Sequence, residues 1–305
     1  MHQPRRRVRI IAATLAAMAL PATALVLSNA TQATAGARTD SAPVQTRNVQ
    51  SSDAIGLTDK GWLVTFRVGS ADKIRRTAKV QGLKDDQRLI GIDYRVQDGK
   101  LYGVGDRGGI YTINTGRNFG QATKVSQLTV ALAGQNFGVD FNPAANRLRV
   151  ISDTGQNLRH NIDDPAGTPA AGTTATDGTL AYPGVPPAPP TTATQVTAAA
   201  YTNNDLDPNT ATTLFDIDTM LDQVVIQSPA NAGLLAPTGK LTVDAGQWAG
   251  FDISTRRDGN RGFAVLDVGG RMRLYDIGLT TGKATRLGTF PTNTRVTDLA
   301  VPLAR

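Results

Sequence analysis

The feature that most constrains the fold is a spacing. Asp59, Asp106 and Asp153 each open an Asp-x-Gly tripeptide, and they are separated by 47 residues each time. The clearest unit reads Leu89-Ile90-Gly91-Ile92-Asp93-Tyr94, then Leu101-Tyr102-Gly103-Val104-Gly105, then Asp106-Arg107-Gly108, then Ile110-Tyr111-Thr112-Ile113. Apolar residues alternate within each run, the period of a half-buried strand, and Asp-x-Gly is a tight-turn signal. Thr115-Gly116 then turns toward a fourth run near Lys124 to Leu128. The same order recurs around Phe137–Phe141, Leu148–Ile151 and Asn157–Arg159, and again around Ala249–Ile253, Phe263–Leu266 and Arg273–Ile277. A divergent copy runs through Val196–Tyr201, Thr213–Ile217 and Gln223–Ile226.

The first copy lacks its first strand. Ala54–Leu57 aligns with the second strand of a unit and Trp62–Phe66 with the third, while Val296–Val301 has the first-strand pattern with nothing after it. A ring explains the split repeat, because the last strand completes the blade that the first segment begins and no terminal blade is left open. An open solenoid gives no reason for it. The expected fold is therefore all-β: a five-bladed β-propeller of four-stranded antiparallel blades, closed by the C-terminal strand, over residues 53–303.

Before the repeat, Arg5, Arg6, Arg7 and Arg9 precede the apolar run Ile10–Leu27, and Ser28-Asn29-Ala30 has the form of a cleavage site. Residues 1–30 are expected to be a signal peptide, 31–52 a flexible leader, and the remainder a secreted, extracellular domain with no membrane insertion after cleavage. The net charge of +7 loses four arginines with the signal, leaving +3, too weak a bias to imply nucleic acid as a partner. Between Asp163 and Thr194 a Pro-, Ala-, Gly- and Thr-rich insertion stretches the third unit and is expected to be mobile, with Leu180 and Tyr182 as its anchors.

Composition removes much chemistry. The chain has no cysteine, so it has neither disulfides nor thiolate chemistry. Every acidic residue is aspartate, which favours turns over helix interiors. After the signal, His160 is the sole histidine, too few for a multi-histidine zinc site.

The runs LIGIDYRVQDGKLYGVGDRGGIYTIN, FGVDFNPAANRLRVISDTGQNLRHN, AAAYTNN and WAGFDI resemble a family of bacterial secreted β-propellers known as domain of unknown function 4394. The resemblance spans about residues 53 to 303, and SDTGQNLRHN at Ser152–Asn161 is its most specific part. It implies a propeller and export, and it transfers no activity, cofactor or catalytic residue.

Two clusters carry the candidate chemistry. Asp93, Asp140, Asp252 and Asp298 occupy one place in four first strands, with Ala200 in the fifth. First strands line a propeller's channel, so these carboxylates are expected to gather near the axis. Either they are hydrogen-bond acceptors tying blades together, or they ligate a hard cation, Ca²⁺ or Mg²⁺; no other cofactor is expected. Arg147, Arg149, Arg159 and His160 form the dense basic cluster, which either pairs with interior aspartates or binds an anion. The Asp-x-Gly aspartates read as turn formers, and Trp62 and Trp248 as packing residues. The function expected from this inventory is a non-catalytic binding or scaffolding propeller for an extracellular ligand or protein. The alternative is a metal-assisted hydrolase or lactonase using the channel aspartates, since propellers host both.

Overall fold

A computed structural model describes residues 53–304 apart from Pro208. The expected signal peptide and leader lie outside the described residues. The first three strands are β1 (Asp53–Thr58), β2 (Trp62–Arg67) and β3 (Arg76–Lys79). The second blade is β4 (Leu89–Arg95), β5 (Lys100–Gly105), β6 (Gly109–Ile113) and β7 (Ala122–Gln127), in that order across the sheet. The third blade is β8 (Phe137–Asn142), β9 (Arg147–Ser152), β10 (Asn157–Asn161) and β11 (Thr173–Thr176). A small hairpin of β12 (Ala181–Tyr182) and β13 (Thr191–Thr192) follows. The fourth blade is β14 (Val196–Tyr201), β15 (Leu214–Asp218), β16 (Gln223–Gln227) and β17 (Leu235–Lys240), with one 3₁₀ turn at Ala230–Ala232. The fifth is β18 (Ala249–Arg256), β19 (Gly259–Val268), β20 (Arg271–Ile277) and β21 (Ala284–Thr289). Last comes β22 (Val296–Ala300), which pairs antiparallel with β1 and completes the first blade as β22-β1-β2-β3.

The fold is thus a five-bladed propeller of four-stranded antiparallel sheets. Its innermost strands touch in a closed circuit, β22 to β4, β4 to β8, β8 to β14, β14 to β18 and β18 back to β22. Four of the five turns between second and third strands follow the repeat: Gly61, Gly108, Gly155 and Gly269 all take positive φ, as a tight turn requires, while the fourth blade uses Asp222. The aspartates of two of these turns also reach inward. Asp106 accepts the N–H of Gln87, and Asp153 accepts those of Gln135 and Asn136, fastening the turn to the segment that enters the inner strand of the same blade.

Blade faces alternate between neighbours, so each strand divides its apolar residues between two interfaces. Phe215 and Ile217 pack toward the fifth blade, whereas Leu214 packs with Ile151 toward the third. Phe66 meets Phe290 edge-on across the first and fifth blades, with centroids 5.0 Å apart. Tyr102 meets Phe141 in the same manner across the second and third, at 5.1 Å.

The insertion after Asp163 supplies structure as well as length. It contains β11, the outer strand of the third blade, and it carries Leu180, which is wholly buried. The Tyr182 hydroxyl lies 2.5 Å from Asp218 Oδ2 and accepts from Gln223 Nε2.

Candidate functional site

Two charged clusters sit on the inner half of the propeller, and they are built from different strands. The first is the hub. Strands β4, β8, β18 and β22 each carry one aspartate inward, and Asp93, Asp140, Asp252 and Asp298 are all buried. Neighbouring inner strands approach closely because a glycine stands two positions before three of these aspartates. A Cβ on Gly138 would lie 2.7 Å from the Ala199 nitrogen, and one on Gly250 would lie 2.4 Å from the Asp298 Cα.

Each hub carboxyl accepts a main-chain N–H from the next blade in the circuit. Asp298 accepts from Ile92 at 2.7 Å, Asp93 from Phe141 at 2.8 Å, Asp140 from Tyr201 at 3.1 Å, and Asp252 from Val301 at 2.5 Å. The expected gathering at the axis and the expected tie between blades are both present. The basic cluster, by contrast, makes no ion pair with the hub among the described residues; its arginines pair with Asp164 and Asp177.

Where β14 has Ala200 the rung is missing. There the fourth and fifth blades are held from the adjacent loop. Asn204 donates to the Ile253 carbonyl and its N–H to Thr255 Oγ1, while Asn203 and Asn260 bond to each other.

Burial pushes all four carboxyls above their ordinary range, and the other hub aspartates push Asp93, Asp140 and Asp298 further the same way. Asp252 is pushed up to about 6. Asp93, Asp140 and Asp252 each offer an oxygen within 4.8 Å of the others, so these three are the residues that could hold a hard cation. Asp252 Oδ1 is buried without a hydrogen-bond partner among the described residues.

The second cluster lies between the third and fourth blades. Arg147 and Arg149 project from one face of β9, and Arg159 stands directly opposite Arg149 on β10. Arg147, Arg149 and Arg159 line one cavity of about 140 Å³ together with Asn142, Tyr201 and Asn231. Asp177 bonds Arg149 at 2.6 Å and Arg159 at 3.1 Å, and Asp164 bonds Arg147 at 3.1 Å. Arg149 also donates to Asn157 and Asn231, and its Nε to the Tyr201 hydroxyl. Both aspartates come from the insertion, which therefore supplies the counter-charges.

His160 is not part of this group. On β10 it alternates to the opposite face from Arg159, where its ring bonds Ser126 of the second blade and Thr174 of β11, both at 2.9 Å. Its basic assignment needs correction as well. Burial lowers its pKa to about 4, so it is a neutral interblade spacer.

Tyr201, Asn142, Asn231 and Asp216 escaped the sequence reading. Tyr201 carried a signal, because it follows Ala200 in the run aligned with the hub strands. Asn231 had none, since a 3₁₀ turn in a long connection brings it there. Asp216, on β15, is fully buried with neither oxygen hydrogen-bonded among the described residues, and burial raises its pKa well above normal against the opposing pull of Arg149.

A family model described as a domain of unknown function, DUF4394, matches residues 62–300. No curated protein matches the sequence. Among solved structures, a chain of a nidogen/laminin complex is 9% identical, with 83% of this chain and 99% of that one covered and a TM-score of 0.47. A protein of unknown function from Bacteroides thetaiotaomicron VPI-5482 is 13% identical, covering 83% and 68%, with a TM-score of 0.47. TolB from Acinetobacter baumannii is 11% identical, covering 83% and 67%, with a TM-score of 0.41. At these scores none of them bears on function.

Proposed function

The chain belongs to the domain-of-unknown-function family DUF4394, and we propose that this propeller is an exported, non-catalytic binding domain that takes a small anion between its third and fourth blades. The observation that carries the reading is a charge imbalance inside a cavity. Three guanidiniums line it, and two carboxylates, Asp164 and Asp177, are bonded to them. Arginine is always protonated and offers five N–H donors in a fixed fork. Arg159 spends three of its donors on Asp177 and the Thr168 carbonyl. A carboxylate, sulfate or phosphate supplies the missing charge and accepts the remaining donors. Export is supported by the basic and apolar pattern of residues 5–27.

The hydrolase alternative has less behind it. All four hub carboxyls are buried and each already accepts a main-chain N–H, whereas an attacking water and a substrate both need room beside the carboxylates. The test is calorimetric titration of acetate, sulfate and phosphate into the mature protein, repeated with Arg159→Gln. Binding to the wild type that weakens at least tenfold in the variant supports the reading. Failure of all three anions to bind overturns it.

A further inference from the structure

The arginine groove lies between the third and fourth blades. A separate cleft of about 430 Å³ opens between the first blade and the segment that leads from the fifth into β22, lined by Asp59, Lys60, Trp62, Ile74, Pro291 and Asn293 among others. That size falls within the usual range for small-molecule sites. Two residues there depart from their counterparts in other blades. Asp59, Asp106 and Asp153 make the same turn, and each donates its own N–H to a carbonyl just before an inner strand, that of Arg295, Arg88 and Asn136 respectively. The carboxylates of Asp106 and Asp153 accept the N–H groups of Gln87 and Gln135. In the first blade Thr294 stands in that place, and its N–H goes to the Pro291 carbonyl instead. The Asp59 carboxylate is left with no hydrogen bond and no ion pair among the described residues, and its oxygens, unlike those of Asp216, remain accessible. The second departure is Trp62. It opens the third strand of its blade, where the other blades begin with Gly109, Asn157, Gln223 and Arg271. The sequence suggested a packing residue, yet Trp62 is 40% exposed, and Lys79 Nζ stands over its ring at 6.0 Å.

We propose that this cleft binds a neutral saccharide unit, its ring laid against Trp62 and its hydroxyls shared between Asp59 and Asn293. The charges remove the alternatives in turn. An anion would meet the unpaired Asp59 carboxylate. An organic cation would meet Lys60 and Lys79, and Lys79 already holds a place over the Trp62 ring. A wholly apolar ligand would strip water from Asp59 and offer it no donor, which is costly for a carboxylate. The ligand that fits is uncharged, presents a flat apolar surface, and both donates and accepts hydrogen bonds. A pyranose has these properties together, because its axial C–H bonds make one face apolar while each hydroxyl is donor and acceptor at once. Asn293 Nδ2 and Lys60 Nζ have no acceptor among the described residues, so free donors and a free acceptor stand around one exposed indole. The cleft shares no lining residue with the arginine groove, and each site stands or falls alone.

The experiment titrates the mature protein with D-glucose, D-galactose, N-acetyl-D-glucosamine, cellobiose and chitobiose, and with choline and acetate as charged controls. Binding is read by calorimetry and by tryptophan emission in wild type, Asp59→Ala and Trp62→Ala, with the melting temperature of each unliganded protein measured alongside. The disaccharides separate a unit within a sugar chain from a free monosaccharide. The expected result is that at least one saccharide binds and shifts the emission, and that each variant weakens it at least tenfold. Asp59→Ala should melt with the wild type, because the carboxylate it removes bonds to nothing. Failure of all five saccharides to bind overturns the proposal, and so does saccharide binding that survives intact in folded Asp59→Ala. Choline or acetate binding that depends on Asp59 and Trp62 makes the cleft a site for charged ligands and overturns it as well. Should Trp62→Ala not fold, Asp59→Ala decides alone.

Discussion

The hub and the groove are two answers to burying charge. In the hub, four like groups converge with no arginine or lysine among the described residues bonded to them, and the main chain of the next blade answers each with one N–H. Such carboxyls are driven toward their protonated form, because burial and mutual repulsion both penalise the charge. In the groove, unlike groups converge, and ion pairs answer most of the charge with donors left over. The difference separates two uses of a polar interior. A set of neutral or nearly neutral acids closed by backbone donors is complete in itself. A set of permanent cations short of one anion is open to a ligand.

Breaking the groove should have the larger consequence. Arg149→Met removes one of the two arginines bonded to Asp177, the cation beside Asp216 and the donors that serve Asn157, Asn231 and Tyr201, leaving buried polar groups uncompensated. Losing one partner of a buried pair typically costs about 3–5 kcal/mol. Equilibrium denaturation should show a loss of that size, and the double variant Arg149→Met/Asp177→Asn should recover part of it. A single-variant cost near zero would mean that the groove is not held by charge.

The hub should be more forgiving. Asp140→Asn keeps an acceptor for the Tyr201 N–H and mimics the protonated acid, so it should change stability by less than about 1 kcal/mol. Asp140→Ala leaves that N–H unpaired and should cost about 1–3 kcal/mol. A chelator should leave the wild-type melting temperature unchanged. A large drop on chelation, abolished in Asp140→Asn, would instead make Asp93, Asp140 and Asp252 a cation site.

The smallest effects are changes of slope with pH, at most about 1.4 kcal/mol per pH unit for each group. Asp252, raised to about 6, holds its proton more tightly folded than unfolded, so its contribution is lost as pH rises from about 4 through 6. The other hub aspartates act in the same direction. His160, lowered to about 4, resists protonation when folded, so its contribution is lost as pH falls from 6.5 to 4. Melting temperature against pH should therefore fall less steeply toward neutrality in Asp252→Asn than in the wild type. In His160→Gln it should fall more steeply between pH 4 and 6.5. Parallel profiles for all three proteins would contradict both assignments.

The ring was readable because repetition is a one-dimensional signal. Asp-x-Gly spacing placed the turns, and the orphan strand at Val296–Val301 placed the closure. The hub was readable for the same reason in three of its members, since Asp93, Asp140 and Asp252 recur in register; Asp298, expected in the same place, stands two residues earlier, opposite Leu57 as Gly91 stands opposite Val104, and Ala300 takes the aspartate position. The groove was readable only in half. Arg147, Arg149 and Arg159 are close in sequence and emerged together, whereas Tyr201 and Asn231 reach them only through the packing of one blade on another. His160 was grouped with the arginines by proximity along the chain. Strand alternation turns it away from Arg159, and the sequence contained that rule already.

The pairing of β22 with β1 also sets an order of events. Thr297 bonds to Leu57 across 240 positions of chain. Made from its N-terminus, the protein therefore begins one blade, completes four others, and finishes the first blade last. Through that interval β1 presents an unpaired edge carrying Ile55 and Leu57, which the finished molecule buries. A molecule cut short anywhere before β22 retains an unpaired flank at β1, which only β22 covers.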